Sequence, residues 1–549
     1  MKFRFLTLIL GGLLLILSQT TTSEVYAQSD SDETITVSLR SDAATLDPHG
    51  SNDQPSEIIR HHIFERLLIR DDNNEITGVL AEDWEQVDDV TYQFNLREGV
   101  EFHDGTPFNA EVAKENLDRA MDPAVASGKA YLLENVDSVN VVDEYTLEIV
   151  TTEVYAPMLS NLAQGVTMMM SQDVIRADYE NAFEEAGLDL TIEEYYELRE
   201  AGGDEYESAV DEFSAFIGQY SERNPIGTGK LQFESRTTGS ETVLTRFDDH
   251  WDGPVSFGSA VFKVVPEQGA RIAELETGST DIATDIDTTN MTRVEETDGL
   301  SLLTSVSPGV LYLGFNTEVE ELSDPLVRRA ISHAINREEI IEGVFNGVGH
   351  VAATPISETM SGYSDANAGN IYDLALAQEL LAESEYPDGF DIEVIVNAAD
   401  NENINTVLYV QEALAELGIN LTVNQVEWAT FLETTAQGNQ EMFIMTWTNS
   451  AEESDNAFTA MFHSESIGSA ANRFRYNNPD MDELIEAGRA ETDSEARAEI
   501  YQEAQNLLLE DSPAVFIRHP EYINGVRDEV TGIKLIAMGI PDLFDAVKE

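Results

Sequence analysis

The chain has 549 residues, of which 104 are Asp or Glu and 30 are Lys or Arg, giving a formal net charge of -74, and it contains no cysteine. That balance excludes nucleic acid as a partner, because phosphate contacts need a basic face, and the missing cysteines exclude disulfides, thiolate metal centres and a lipid-bearing cysteine anchor. The length exceeds what one hydrophobic core supports and predicts two or three lobes.

The first residues read as a secretory signal, with Lys2 and Arg4 at the basic start, an apolar run from Phe5 to Leu17, and a small-residue cleavage site at Val25-Tyr26-Ala27. A signal peptide over 1–27 and a mature chain starting near Gln28 are expected. The apolar run is shorter than the roughly 20 residues that span a bilayer, so the expected location is periplasmic or otherwise extracytoplasmic. The acids are spread along the whole chain. At about 1 M salt the screening length falls to roughly 3 Å and their mutual repulsion mostly disappears, which predicts adaptation to a salty exterior.

Thr34 to Leu39 alternates as a strand and leads through Leu46-Asp47-Pro48 into a helix that ends at Phe64-Glu65-Arg66-Leu67. Val90, Tyr92, Phe94 and Leu96 alternate with polar residues, the period of a half-buried strand. Asp104-Gly105 supplies a turn, and Asn109 stands as N-cap before a stripe of Ala113, Leu117 and Ala120. A hairpin is predicted over Val139 to Val150, turning at Asp143-Glu144. An acidic, helix-rich segment between Asp173 and Arg223 reads as an exposed elaboration, since charge-rich helices are usually solvated. The glycines of Asn224-Pro225-Ile226-Gly227-Thr228-Gly229 allow tight backbone passage; a P-loop is rejected because its G-x-x-x-x-G-K spacing is absent and no Ser or Thr follows Lys230.

A strand through Leu311, Leu313 and Phe315 precedes a helix capped by Asp324 with Pro325 at its first position, and Asn336 with Glu339 caps the next. Met442 to Trp447 reads as a buried strand opening into a polar loop. A final helix capped by Thr492 with Glu495 ends before Pro513, and Ala514 to Ile517 forms a strand. No H-E-x-x-H or G-x-S-x-G motif occurs. The adjacent His61 and His62 point to different helix faces, so they do not suggest a shared metal ion.

Several blocks together resemble family 5 extracellular solute-binding proteins of ABC importers, the peptide and nickel class. Trp84, Phe102, Asp104, Gly105, Pro107, Phe108 and Ala110 match its hairpin-and-helix signature, with Ala113 where a valine is usual. The L-D-P loop, the Asn224–Gly229 turn, Asp248 to Trp251, the E-L-x-x-G element from Glu274 to Gly278 and the run from Leu311 to Gly349 match further elements.

The resemblance implies an α/β, two-lobed periplasmic-binding-protein fold of type II, from the large cluster with an extra subdomain in lobe I, and a hinge of two crossing strands. The expected division is lobe I over 28–300, with the extra subdomain at 67–222, lobe II over 301–515, and a return to lobe I over 516–549. It also implies a monomer that is not an enzyme, uses no cofactor or metal, binds a small peptide-like ligand and docks on ABC permease subunits. A metal chelate, an oligosaccharide, and a hydrolase or chaperone role are the alternatives.

Ligand contacts are expected by the same likeness at Gly50, Ser51 and Asn52 in the first loop, at His61, at the cleft aromatic Trp428, and at Thr446, Trp447, Thr448, Asn449, Ser450 and Asp455. Dipeptide-binding relatives carry an Asp at the position of Ser450 to pair with the ligand's α-amino group, and a hydroxyl replaces that ion pair only with substantial loss. Glutathione-type members match Trp447, Thr448, Ser450, Glu453 and Asp455 better. Asn401 and Asn403 lie where several relatives carry an arginine for a ligand carboxylate, leaving Arg60 or Arg473 as substitutes.

Overall fold

The computed structural model describes residues 33–549 apart from 72–73, 361, 364–368, 370, 450 and 469–470. The signal peptide expected at 1–27 and the Ser450 position lie outside the described residues.

A seven-stranded sheet forms the first lobe, in the order Leu300–Val306, Glu521–Arg527, Ile282–Ala283, Thr34–Leu39, Ser259–Val264, Glu241–Arg246 and Leu231–Thr237. Thr34–Leu39 runs parallel to Ser259–Val264, and its alternating Ile35, Val37 and Leu39 are buried in the lobe's core. The following helix, Gln54–Ile63, starts where Asp53 accepts a hydrogen bond from the Ser56 backbone, with Pro55 in its first turn.

A four-stranded antiparallel sheet makes the extra subdomain, ordered Ala81–Gln86, Thr91–Leu96, Thr146–Thr151, Val136–Asp143. Tyr92, Phe94 and Leu96 join Phe102, Phe108 and Leu117 in one core, and Asn109 caps helix Ala110–Ala120 through the Val112 backbone.

The acidic segment forms helices Gln172–Ala186, Ile192–Ala201 and Asp204–Phe213. It is more than an exposed elaboration. Tyr179, Phe183, Tyr195 and Phe213 share the core of the seven-stranded sheet rather than that of the extra subdomain, while Glu193, Glu197, Glu205 and Glu212 cover the outer face. Two buried ionic centres fasten it. The Asp122 carboxylate accepts hydrogen bonds from Tyr179 and Tyr195 at 2.7 Å, and Arg119 joins Asp47 at 2.5 Å to Asp178 at 2.8 Å.

The second lobe is a six-stranded sheet ordered His350–Val351, Ala514–His519, Gly309–Phe315, Met442–Thr448, Asp391–Asn397 and Asn420–Val426. Helix Pro325–Ala334 is capped by Asp324 and helix Arg337–Phe345 by Asn336. The last helix, Ser494–Asp511, is capped by Asp493 and not by Thr492: Asp493 accepts from the Ala496 backbone, since a carboxylate one residue closer reaches the free amides first.

The chain crosses between the sheets twice. It leaves the first after Val306 and joins the second at Gly309, then leaves the second after His519 and rejoins the first at Glu521. Leu300–Val306 pairs with Glu521–Arg527 in the first sheet and Ala514–His519 with Gly309–Phe315 in the second, so the division expected at 300/301 falls at the start of a first-sheet strand and the one at 515/516 falls inside a second-sheet strand. At the crossing itself, the Ser307 amide donates to the Pro520 carbonyl at 2.8 Å, tying the two strands together beside Pro308 and Pro520.

Candidate functional site

A cleft of about 690 Å³ lies between the lobes, a volume within the range of small-molecule sites. Its walls mix apolar side chains, Phe64, Ile69, Val79, Trp251 and Phe544 among them, with charged ones. Trp251 is fixed from both sides: its indole N–H donates to Glu65 at 3.0 Å, and the Arg97 guanidinium stacks 4.1 Å from the ring centre. Lys230, which replaces a proline common in the family's turn, pairs with Asp252 at 2.9 Å and lines the same cleft.

The loop after strand Met442–Thr448 carries the second lobe's contribution. Ala451 is buried in the core of the extra subdomain, and its carbonyl accepts from Gln164 at 3.3 Å. Glu452 follows with φ of 52°, a left-handed conformation that non-glycine residues adopt at a cost. Its carboxyl lines the cleft while the residue is only 7% exposed, and it accepts no hydrogen bond from the described residues. Burial pushes it up to about 7, against the opposing pull of Arg70 and Arg66. Glu453 turns the other way, to Ser160 at 2.9 Å and to Arg497.

Of the residues expected at the ligand, His61 lines the cleft, 3.5 Å from Asp542. Its neighbour His62 is buried and held neutral, burial pushing it down to about 3, yet the two rings touch edge to face, 5.1 Å between centres, and both pack against Phe544. Asn52 lines a smaller cavity beside the cleft floor. Gly50 and Ser51 brace the loop: the Gly50 amide donates to the Asp47 carbonyl, and the Ser51 carbonyl accepts from Arg60. Trp428 is 43% exposed and stacks on Phe431 away from the cleft lining. Thr446, Trp447 and Thr448 pair across to Leu311, Val310 and Gly309 near the hinge. Asn449 is buried and donates to the Glu453 carbonyl at 2.7 Å. Asp455 is committed to Arg489 at 3.2 Å and to the Tyr501 hydroxyl.

Neither arginine considered for a carboxylate reaches the cleft. Arg60 is fully buried against Glu57, Ser51 and the Asp47 carbonyl, and Arg473 bonds Leu432 and Thr435 inside the second lobe. Arg66 and Arg70 line it instead. Asn403 is spent on Asp400 at its helix start. The cleft residues missed in the sequence, Arg66, Arg70, Trp251 and Glu452, had one available signal. Arg66 and Trp251 lie inside family-like motifs, whereas the family resemblance places the acid at position 450, two residues before Glu452.

Among the described residues, no group of three or more His, Asp or Glu is arranged to hold a metal ion, and no helix is long and apolar enough to cross a membrane.

Two α/β lobes, a double crossing and an inter-lobe cleft define the architecture of a two-lobed binding protein. Residues 75–469 match the family model of bacterial extracellular solute-binding proteins, family 5, and the chain belongs to that family. It is 27% identical over 500 residues to the dipeptide-binding protein of Escherichia coli K12, covering 87% of each chain. It is 26% identical over 506 residues to the glutathione-binding protein GsiB of the same organism, covering 91% of each. The solved structure of HbpA2 from Haemophilus parasuis superposes with a TM-score of 0.81 at 23% identity, over 94% of this chain and 100% of that one.

Proposed function

We propose that this chain captures a small peptide or glutathione-like solute outside the cytoplasm, closes its lobes about the hinge, and presents the closed form to ABC permease subunits as a monomer. The reading includes export by a cleaved signal peptide, no lipid anchor, and adaptation to a salty medium.

The single observation that carries the ligand reading is Glu452. A buried carboxylate with no protein hydrogen bond, facing a cleft, is costly unless a cationic group arrives, and a peptide's α-ammonium is such a group. It supports amine recognition even though a serine stands at position 450. Closure follows because a solute touching Glu452 from the second lobe and Trp251 or His61 from the first binds the closed form more tightly than the open one.

The test is a thermal-shift screen in high salt against dipeptides and tripeptides, glutathione, nickel chelates and oligosaccharides, since a ligand specific for the folded state raises its melting temperature. A peptide response lost in Glu452→Gln is expected. A response to sugars or chelates and to no peptide would overturn the reading.

A further inference from the structure

Beside the cleft floor, the buried Lys129 and the half-buried Arg66 keep hydrogen-bonding capacity that the described residues do not use. The Arg66 guanidinium makes no hydrogen bond to the described residues. Its nearest carboxylate oxygen, on Glu57, is 3.9 Å away, and its Nε is enclosed without a partner. Lys129 is 5% exposed, and of the three N–H groups on its ammonium one donates to Glu57.

A cavity of about 20 Å³ lies between them, lined also by Asn52, Glu57, Gln164 and Gly165. One water needs about 10–15 Å³ on such a measure, so the space takes a single small occupant. Gly165 keeps this space open: a Cβ there would stand 2.6 Å from Lys129 Nζ and 2.7 Å from Glu57 Oε2.

The charge balance points the same way. Glu57 is the one carboxylate among Arg60, Arg66 and Lys129, and although burial would raise it, these cations hold it down to about 2. Arg60, at 2.5 Å, and Lys129 pair with the same Glu57 oxygen. All three cations share Glu57, so this group of four residues carries two more positive charges than negative ones in a protein whose overall charge is strongly negative. Glu452 and Asp542 also act on Arg66, from the second lobe and the C-terminal segment. Burial pushes Lys129 down to about 8, against the opposing pull of Glu57.

We propose that this cavity binds one small monovalent anion between Arg66 and Lys129, supplied either as an inorganic halide or as a carboxylate of the bound solute. The halide form is independent of the peptide reading, while the carboxylate form rests on it.

Three measurements test it. Crystals of the unmodified protein soaked in sodium bromide should show an anomalous peak between Arg66 and Lys129. Replacing sodium gluconate with sodium chloride at constant ionic strength should raise the melting temperature, and Gly165→Ala and Lys129→Gln should each lose that increment. No bromide peak, or a chloride increment that survives in both variants, overturns the site. If chloride weakens the binding of a peptide, and weakens it no longer once the peptide's C-terminus is amidated, the solute carboxylate uses the site; if peptide affinity ignores chloride, the site is a halide site alone. Should no peptide bind at all, the functional reading fails while the bromide and chloride measurements still decide this one.

Discussion

The Ser160 hydroxyl of the first lobe donates to Glu453 Oε2 of the second at 2.9 Å. The same carboxylate lies 3.9 Å from Arg70 in the first lobe and pairs with Arg497 in the second, and nearby the Ala156 amide donates to the Arg489 carbonyl across the same gap. The loop that forms one wall of the cleft is therefore also a latch between the lobes.

Glu453→Ala leaves Arg497 and Arg70 buried without their shared counter-charge, a loss of about 3–5 kcal/mol by comparison with other broken buried pairs. Denaturation in high salt should show a lower midpoint, and small-angle scattering a larger radius for the variant. An unchanged midpoint together with an unchanged radius would count against the latch.

Glu452 makes the protein sensitive to pH near neutrality. Its folded-state value of about 7 lies above its ordinary 4.5, so the folded state holds the proton longer. The associated stability is fully present below about 4.5 and is lost as pH rises through about 7, on the order of 3 kcal/mol in all. Glu452→Gln should flatten this slope. Binding of an ammonium-bearing solute runs the other way: affinity should rise as pH rises through 7, with proton release measurable by calorimetry in buffers of different ionisation enthalpy.

Arg119 holds two buried carboxylates, Asp47 and Asp178. Burial would raise Asp47, but Arg119 holds it well below the usual carboxylate range, so its contribution is present above its unfolded value near 3.8 and is lost as pH falls below that. Arg119→Met should destabilise by about 3–5 kcal/mol at pH 7, and the deficit should shrink on acidification. Equal deficits at pH 3 and pH 7 would contradict the assignment.

Dilution of salt should unfold the protein. With a net charge of -74, self-repulsion grows as the Debye length lengthens from roughly 3 Å at 1 M to about 10 Å at 0.1 M. A melting temperature that is flat across this range would remove the case for a saline habitat.

Trp428→Ala should leave solute affinity within twofold and stability within about 1 kcal/mol, because the ring is 43% exposed and outside the cleft lining. A large loss of affinity would return Trp428 to the site.

Most strands and helix starts were legible in the sequence because short-range chemistry decides them. The alternation of Tyr92, Phe94 and Leu96 and the caps at Asn109, Asp324 and Asn336 appear as expected. The role of the acidic segment was not legible, since the partners of its aromatic residues, Ile35, Val37 and Asp122, lie far away in the chain. The cleft was legible only in part. His61 reaches it, but Asp455 and Trp428 show how a motif fixes a residue's place in the chain without fixing which way its side chain turns. Asp455 turns to Arg489, and the left-handed backbone at Glu452, which swings that carboxyl into the cleft, has no sequence signature.

Glu452 and Glu453 share a peptide bond yet face opposite ways, the first into the cleft that the proposed solute would fill and the second onto the opposing lobe. Retuning which solute is accepted therefore disturbs how firmly the lobes hold, so drift in preference at 452 carries a mechanical side effect. Variants selected for a new cargo should accumulate compensating changes at Ser160, Arg70 or Arg497, the residues that grip the neighbouring carboxylate.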